Sequence, residues 1–154
     1  MPDTIYYKRA RFLAHLPSDC RYTRSHCWLA QIEAGVWRVG LSTFAIRMLG
    51  DMVEFGFGVK AGDPVAVGQT IGWLEGFKAV SDIYSVAAGE FLRSNPALEG
   101  DITLVDSKPF AGGWLYEVRG EPDPESYDVH GYINLLDTTI DKMLDSRHDG
   151  SNDG

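Results

Sequence analysis

The chain has 154 residues, of which 22 are acidic and 14 are basic, so its formal net charge is -8. This length fits one compact domain with a real hydrophobic core but leaves no room for two. An acidic surface repels phosphate groups and anionic lipid headgroups, which argues against nucleic-acid or membrane partners. No apolar run approaches membrane-spanning length, and the first twelve residues lack the apolar core of a signal peptide. We therefore expect a soluble, cytoplasmic protein.

The composition favours a β-rich fold with reduced thiols and no metal site. Glycine is abundant at 17 residues, and aromatic and β-branched residues recur in short runs. Cys20 and Cys27 are seven positions apart, which matches neither a redox motif nor a zinc-ribbon pair. The four histidines are scattered along the chain without the spacing of metal ligands.

The first third of the chain is predicted to form short strands followed by one helix. Residues 4–16 mix aromatic and basic side chains, as in an edge strand or an extended arm. Residues 28–33 and 36–41 predict a hairpin around a glycine-containing turn. Ser42 can cap a short helix through its hydroxyl, and Gly50 can end that helix.

The remaining two thirds are predicted to contain more strands and a C-terminal helix. Apolar residues recur at intervals of three and four between Ile133 and Leu144, which indicates an amphipathic helix packed on the sheet. The tail of residues 146–154 has no apolar residue and is predicted to be disordered. Before the helix we expect a strand at 52–55, a hairpin around Lys78, a strand at 90–93, a helical turn at 95–98, an extended segment at 102–105 and a strand at 114–118.

Lys78 is expected at the tip of a hairpin. Residues with strand preference run up to Glu75 and resume at Val80, while Gly76 supplies backbone freedom where the chain reverses. Taken alone, such a lysine is a solvated turn residue. No catalytic motif accompanies it, and His26 and Cys27 are neighbours that point to opposite faces of a strand. We therefore predict no catalytic residue and no enzymatic activity for this chain alone.

Residues 75–82 read Glu-Gly-Phe-Lys-Ala-Val-Ser-Asp, with Gly89 eleven positions after the lysine. This segment resembles the lipoylation segment of glycine cleavage system H proteins, in which a Glu and a Gly at the positions of Glu75 and Gly89 help the lipoyl-attaching enzyme to recognise its target. Four further stretches match the family in the same order, so that the resemblance covers roughly residues 22–118: Tyr22 to Trp28, Val39 to Ser42, Leu49 to Val53 and Gly113 to Leu115.

The resemblance implies a mainly β fold of the barrel-sandwich type, lipoyl-domain-like, with two small antiparallel sheets, short helices and a C-terminal helix. It places an N-terminal extension at residues 1–21, the carrier domain at 22–145 and the disordered tail at 146–154. It also implies that lipoate is covalently attached to Lys78. The protein is then a non-catalytic swinging-arm carrier, which shuttles an aminomethyl group between the enzymes of glycine cleavage.

The partners implied by the resemblance are the lipoyl-attaching enzyme, glycine decarboxylase, aminomethyltransferase and dihydrolipoamide dehydrogenase. A carrier that approaches several enzymes is expected to be a monomer. Biotin carriers also use a hairpin lysine, but methionines usually flank it, whereas Phe77 and Ala79 flank Lys78. Biotin is therefore the minor alternative for the attached group.

One departure from the family pattern concerns the cleft that shelters the arm. Cys27 replaces the Glu of the family's His-Glu-Trp, whereas Ser25 and Asp82 match other residues that line the cleft. A thiol is normally neutral near pH 7 and cannot fill the role of a carboxylate beside an amine equally well. Cys27 is then either a small buried residue or a sign of another cargo, with thiol exchange onto the arm. The alternative function is an H-like lipoate carrier for another pathway, such as heterodisulfide-reductase-like sulfur oxidation.

Overall fold

The computed structural model describes residues 3–152 of the chain, and side chains up to residue 146. The first part of the chain forms β1 (Thr4–Arg9), β2 (Phe12–Pro17), β3 (Arg21–Tyr22), β4 (Cys27–Glu33), β5 (Val36–Leu41), α1 (Thr43–Leu49) and β6 (Met52–Phe57). The second part forms β7 (Pro64–Val65), β8 (Thr70–Gly76), β9 (Val80–Tyr84), β10 (Ala87–Ser94), α2 (Ala97–Gly100), α3 (Leu104–Ser107), β11 (Tyr116–Pro122) and α4 (Val129–Asn152).

The strands form three antiparallel sheets. The largest has the strand order β3-β4-β5-β11-β10-β7, the second has the order β6-β8-β9, and the third is the hairpin β1-β2. The prediction of a mainly β fold with a C-terminal helix is confirmed. The sheet count differs from the two small sheets that the resemblance implies, because the N-terminal segment pairs with itself and forms a sheet of its own.

The main hydrophobic core contains side chains from both larger sheets. Leu29 and Val39 from the six-stranded sheet and Leu74 and Ile83 from the three-stranded sheet belong to one buried cluster. Burying such a side chain contributes about 1.5–3 kcal/mol, so this core holds the Lys78 hairpin against the larger sheet.

A second core joins the N-terminal hairpin to α4. Tyr22 stacks on Tyr132 with ring centroids 4.6 Å apart, and Phe12 and Leu16 are buried in the same cluster. At the edge, the Tyr7 hydroxyl donates to Asp137 over 2.7 Å. The segment predicted as an edge strand or an extended arm is therefore a hairpin packed on the helix. Its apolar residues alternate along β2, and burying that face requires a partner surface.

Two segments differ from the sequence-based expectation. Residues predicted as extended at 102–105 begin the short helix α3, because the Asp101 carboxylate accepts the Thr103 N–H over 3.0 Å and starts a turn. The helix α4 continues to Asn152, into the tail predicted to be disordered, since backbone hydrogen bonding does not end with the last apolar residue. Residues 153 and 154 lie outside the described part.

The cap of α1 also differs in detail. Ser42 is the residue before the helix, as predicted, but its hydroxyl does not cap the helix. The hydroxyl instead forms a 2.7 Å hydrogen bond with the hydroxyl of Tyr132 on α4.

Within residues 3–152, no helix is both long and apolar enough to cross a membrane.

Candidate functional site

Lys78 lies at the tip of the hairpin formed by β8 and β9, as predicted. Three backbone hydrogen bonds of 2.8 Å fix the tip: Gly76 donates to Ala79 within the turn, Phe77 donates to Asp51, and Lys78 donates to Leu49. The last two acceptors belong to the end of α1 and the residues after it. The tip is therefore held by the helix as well as by its own strands.

Two glycines permit this close contact. Gly50 ends α1 with a φ of +80°, a conformation that L side chains rarely adopt, and a Cβ there would lie 2.9 Å from Lys78 Cγ. A Cβ on Gly76 would lie 2.7 Å from the carbonyl carbon of Leu49. The backbone at Gly50 thus forms a cradle for the aliphatic stem of Lys78.

The side chain of Lys78 is exposed on this fixed backbone. Its Nζ is 3.5 Å from the carbonyl oxygen of Arg47, which is at the limit of a hydrogen bond. Among the described side chains, no carboxylate forms a salt bridge with Lys78. The neighbouring Phe77 and Val80 are 85% and 67% exposed. An enzyme can therefore reach the amine and the apolar residues beside it.

A cleft of about 180 Å³ lies between α1 and the hairpin strands. The three residues that the sequence assigns to the cleft, Ser25, Cys27 and Asp82, all line it. Leu49 lines it as well, and its carbonyl accepts the Lys78 N–H. The structure thus brings these three residues together next to the segment that holds Lys78.

Cys27 is buried in the wall of the cleft. Burial raises the pKa of its thiol to about 11, although hydrogen bonds from Ser25 and Thr23 act in the opposite direction. The Ser25 hydroxyl is 3.9 Å from the sulfur. Because the thiolate is the reactive form, a thiol with this pKa is a poor nucleophile at neutral pH. The geometry favours the interpretation of Cys27 as a small buried residue over exchange with the arm.

His26 is a cleft residue that the sequence analysis did not assign. Its φ is +67°, and its Nδ1 is 2.9 Å from the hydroxyl of Tyr132, which also contacts Ser42. Burial lowers the pKa of the imidazole to about 4. The sequence points to His26 only because the family has a His at the same place in the segment that begins at Tyr22. No periodicity links residues 26, 42 and 132.

The comparisons with known proteins agree with this geometry. A family model described as glycine cleavage H-protein matches residues 20–132. The chain belongs to the glycine cleavage H-protein family. The match extends the predicted resemblance of residues 22–118 to the first turn of α4 and confirms the family.

Named relatives of the H-protein family cover most of the chain. The glycine cleavage system H protein of Streptomyces avermitilis is 42% identical over 109 residues, which are 71% of this chain and 86% of that protein. The H protein of Aeromonas hydrophila is 38% identical and covers 81% of this chain and 98% of its own. A crystal structure of the H protein from Mycobacterium marinum is 30% identical, covers 79% of this chain and 98% of that chain, and has a TM-score of 0.71. The lipoyl-domain-like barrel-sandwich fold is thereby confirmed.

The two residues that flank the lysine in the H-protein pattern lie in different sheets. Glu75 is half-buried in β8, opposite Glu54 of β6 and Val80 of β9. Gly89 lies in β10, opposite Gly120 of β11, and a Cβ there would collide with the carbonyl oxygen of Arg119. The fold itself therefore needs a glycine at 89. A role of either residue in recognition stays a prediction.

Metal ligation has no candidate in the described part of the chain. Within it, no group of three or more His, Cys, Asp or Glu side chains is arranged to hold a metal ion. Two cysteines are free and buried, and Cys20 lies in the second core rather than in the cleft.

Proposed function

We propose that this protein is a lipoyl carrier of the glycine cleavage system, with lipoate joined in amide linkage to Lys78. The observation that carries the proposal is an exposed lysine amine on a backbone fixed by hydrogen bonds to α1. A fixed attachment point presents the base of the arm in one position to each enzyme. Tethering raises the effective concentration of the cargo, so the chain acts without catalysing a step itself.

The residues around Lys78 fit an acylated lysine. Amide formation removes the positive charge of the amine, and among the described residues no carboxylate loses an ion pair in consequence. The Gly50 cradle leaves room for the lysine stem. When bound, lipoate supplies a dithiolane on a long chain, by which an aminomethyl group is passed from one enzyme to the next.

The cleft supplies the surroundings of the arm. Leu74 and Leu115 provide apolar lining, and Ser25 provides a hydroxyl. Asp82 is the one carboxylate that lines the cleft within residues 3–146, so it is the group placed to face an amine. Cys27 adds a neutral thiol where the family has a carboxylate. No observation favours a carrier for another pathway, and thiol exchange, on which that alternative partly rested, conflicts with the raised pKa of Cys27.

The proposal includes the partners that the family implies. These are the lipoyl-attaching enzyme, which would read Glu75 and Gly89, and glycine decarboxylase, aminomethyltransferase and dihydrolipoamide dehydrogenase. All four need access to the exposed tip, which suits a monomer. The proposal also includes the cytoplasmic location that the sequence predicts.

Intact-mass spectrometry tests the attachment. Expression with lipoate and a lipoyl ligase should add the mass of one lipoyl group to the wild-type chain and none to Lys78→Arg. Lys60→Arg is the matched control, because Lys60 is an exposed loop lysine outside the site, and it should be modified like the wild type. An unmodified wild-type chain, or one modified at another lysine, contradicts the proposal.

A second assay tests the pathway. Release of carbon dioxide from glycine by a glycine decarboxylase should depend on the lipoylated chain and fail with the Lys78→Arg variant. A lipoylated chain that does not support this release would establish a lipoyl carrier but contradict its place in glycine cleavage.

A further inference from the structure

A groove beside α1 is built largely from segments outside the family match. It encloses about 790 Å³ and has α1 at its base. One wall is the turn between β1 and β2, at residues 9–12, and the other is the part of α4 at residues 140–144. Both walls lie outside the matched residues 20–132. The wall formed by residues 9–12 also lies before the predicted carrier domain, so the carrier domain alone does not complete this groove.

The groove is apolar at its base and at one rim. Phe12 and Phe44 are buried beneath it, whereas Met48, Met143 and Leu144 are 41%, 37% and 43% exposed. Aromatic residues, methionine and arginine are the residue types enriched in protein–protein interfaces. A partner bound in the groove would bury these half-exposed apolar side chains.

Three arginines line the same groove, Arg9, Arg11 and Arg47, and no carboxylate lines it within residues 3–146. Arg9 is engaged by Asp137 and Asp141. Arg11 and Arg47 form no salt bridge among the described side chains. On a chain with a net charge of -8, an acidic partner is repelled by most of the surface and attracted here. The arginines therefore favour a negatively charged partner and fix its orientation.

The groove is continuous with the attachment site. A further cavity, distinct from the cleft, lies beside Lys78 and is also lined by Gly50 and Phe77. Arg47 lines both this cavity and the groove, and its carbonyl oxygen is 3.5 Å from Lys78 Nζ. Met48 lines both the groove and the cleft that contains Cys27 and Asp82. A partner segment bound in the groove thus lies against the helix that holds the lysine.

We propose that this groove docks an acidic, amphipathic segment of an enzyme that acts on the arm of Lys78. The apolar side of the segment covers Met143 and Leu144, and its carboxylates pair with Arg11 and Arg47. The choice of partner rests on the proposed function, whereas the groove does not depend on lipoylation.

Steady-state kinetics with the full-length, lipoylated chain tests the docking. The double variant Arg11→Glu/Leu144→Gln changes two groove residues that line neither the cleft nor the cavity beside Lys78. The KM for the carrier should rise at least about tenfold with glycine decarboxylase, aminomethyltransferase or dihydrolipoamide dehydrogenase of the same organism, at unchanged kcat. The rise should shrink at about 0.5 M salt, which screens charges. Lys60→Glu, the control with the same change of charge, should leave KM unchanged.

Two results overturn the docking proposal. One is a KM of the double variant that matches the KM of the Lys60→Glu control with all three enzymes. The other is a wild-type chain that binds vesicles of anionic phospholipid through the groove while the enzymes are indifferent to the double variant. Calorimetric titration of the Lys78→Arg chain with the same enzymes, with and without the groove changes, measures docking without the arm. This measurement therefore distinguishes a failure of docking from a failure of lipoylation.

Discussion

His26 shows how much a single residue contributes to the wall of the cleft. Its backbone has a positive φ, which is uncommon for residues other than glycine, although asparagine, aspartate and histidine adopt it more often than the rest. Its ring packs 4.6 Å from the ring of Phe44, and its Nδ1 contacts the Tyr132 hydroxyl. The residue therefore links α1, α4 and the start of β4, and its partial burial favours the neutral imidazole.

The lowered pKa of His26 predicts a loss of stability in acid. The folded pKa is about 4 and the ordinary value is 6.5, so the unfolded chain binds a proton in this interval before the folded chain does. The part of the free energy of unfolding that depends on neutral His26 is complete above pH 6.5 and is lost as the pH falls towards 4. This loss is at most about 3 kcal/mol. His26→Asn keeps a residue that tolerates the positive φ and removes the titration.

Urea denaturation of both proteins between pH 4 and pH 7 measures this difference. The free energy of unfolding should fall more steeply in the wild type than in His26→Asn, because other titrating groups are common to both. Parallel curves would show that His26 titrates alike in the folded and unfolded chains.

The tip of the Lys78 hairpin is held by backbone contacts, whereas its strands are held by side chains buried in the core. Both Gly50 and Gly76 bring main-chain atoms against one another. The N–H of Lys78 donates to the last residue of α1, and that of Phe77 donates to Asp51 just after the helix. A side chain at either glycine separates the tip from the helix. The strands of the hairpin, which pair with β6 and with each other, do not depend on this contact.

Gly76→Ala should therefore misplace the tip. We expect it to lower the free energy of unfolding by about 2–4 kcal/mol and to slow lipoylation at temperatures where the chain is still folded. Gly112→Ala is the matched control, since a Cβ at Gly112 meets no atom within 4 Å, and its effect should be small. Lipoylation of Gly76→Ala at the wild-type rate would mean that the ligase does not require the tip in this position.

Local patterns predicted this element better than its surroundings. Strand preference up to Glu75 and from Val80, with a glycine between them, was enough to predict the hairpin with Lys78 at its tip. The sequence did not predict that α1 holds the tip, because the contact is made by backbone atoms of Leu49 and Asp51. Nor did it predict α3, where a single Asp side chain decides between an extended segment and a turn.

At the scale of the whole molecule, the N-terminal hairpin is part of the folded domain rather than an appendage. Its buried face belongs to the same cluster as α4 and the start of β4. Arg9 pairs with Asp137 and Asp141, and Tyr7 donates to Asp137, so the contact with α4 also has a polar edge. Loss of the hairpin would expose apolar surface on α1 and α4 together.

Two substitutions on one strand test this integration. Phe12→Ala should lower the free energy of unfolding by about 3–5 kcal/mol, because the ring is buried between α1 and α4. Leu13→Ala, one residue along and 48% exposed, should change it by no more than about 0.5 kcal/mol. Thermal unfolding followed by circular dichroism should show one transition in each case. An unchanged midpoint in Phe12→Ala would mean that the hairpin is not integrated.

The cleft was predicted in part because its residues belong to segments that resemble a known family. Ser25, Cys27 and Asp82 line one cavity as that resemblance implied. The link from His26 to Ser42 through Tyr132 was not predicted, since three residues so far apart in sequence meet only through the packing of α4. The same reason applies to the groove, whose walls come from the two ends of the chain.

The hydrogen bonds between the hairpin tip and α1 have a consequence for the timing of the pathway. Because hydrogen bonds hold the backbone of Lys78 against the domain, the proposed arm swings from one fixed point, and every enzyme that uses it must take up the same reactive end. One reactive end occupies one active site at a time, so each enzyme must release the arm before the next can use it. The order of reactions is then set by successive dissociation events. Tight binding to any one enzyme would slow the whole cycle, which favours short-lived complexes.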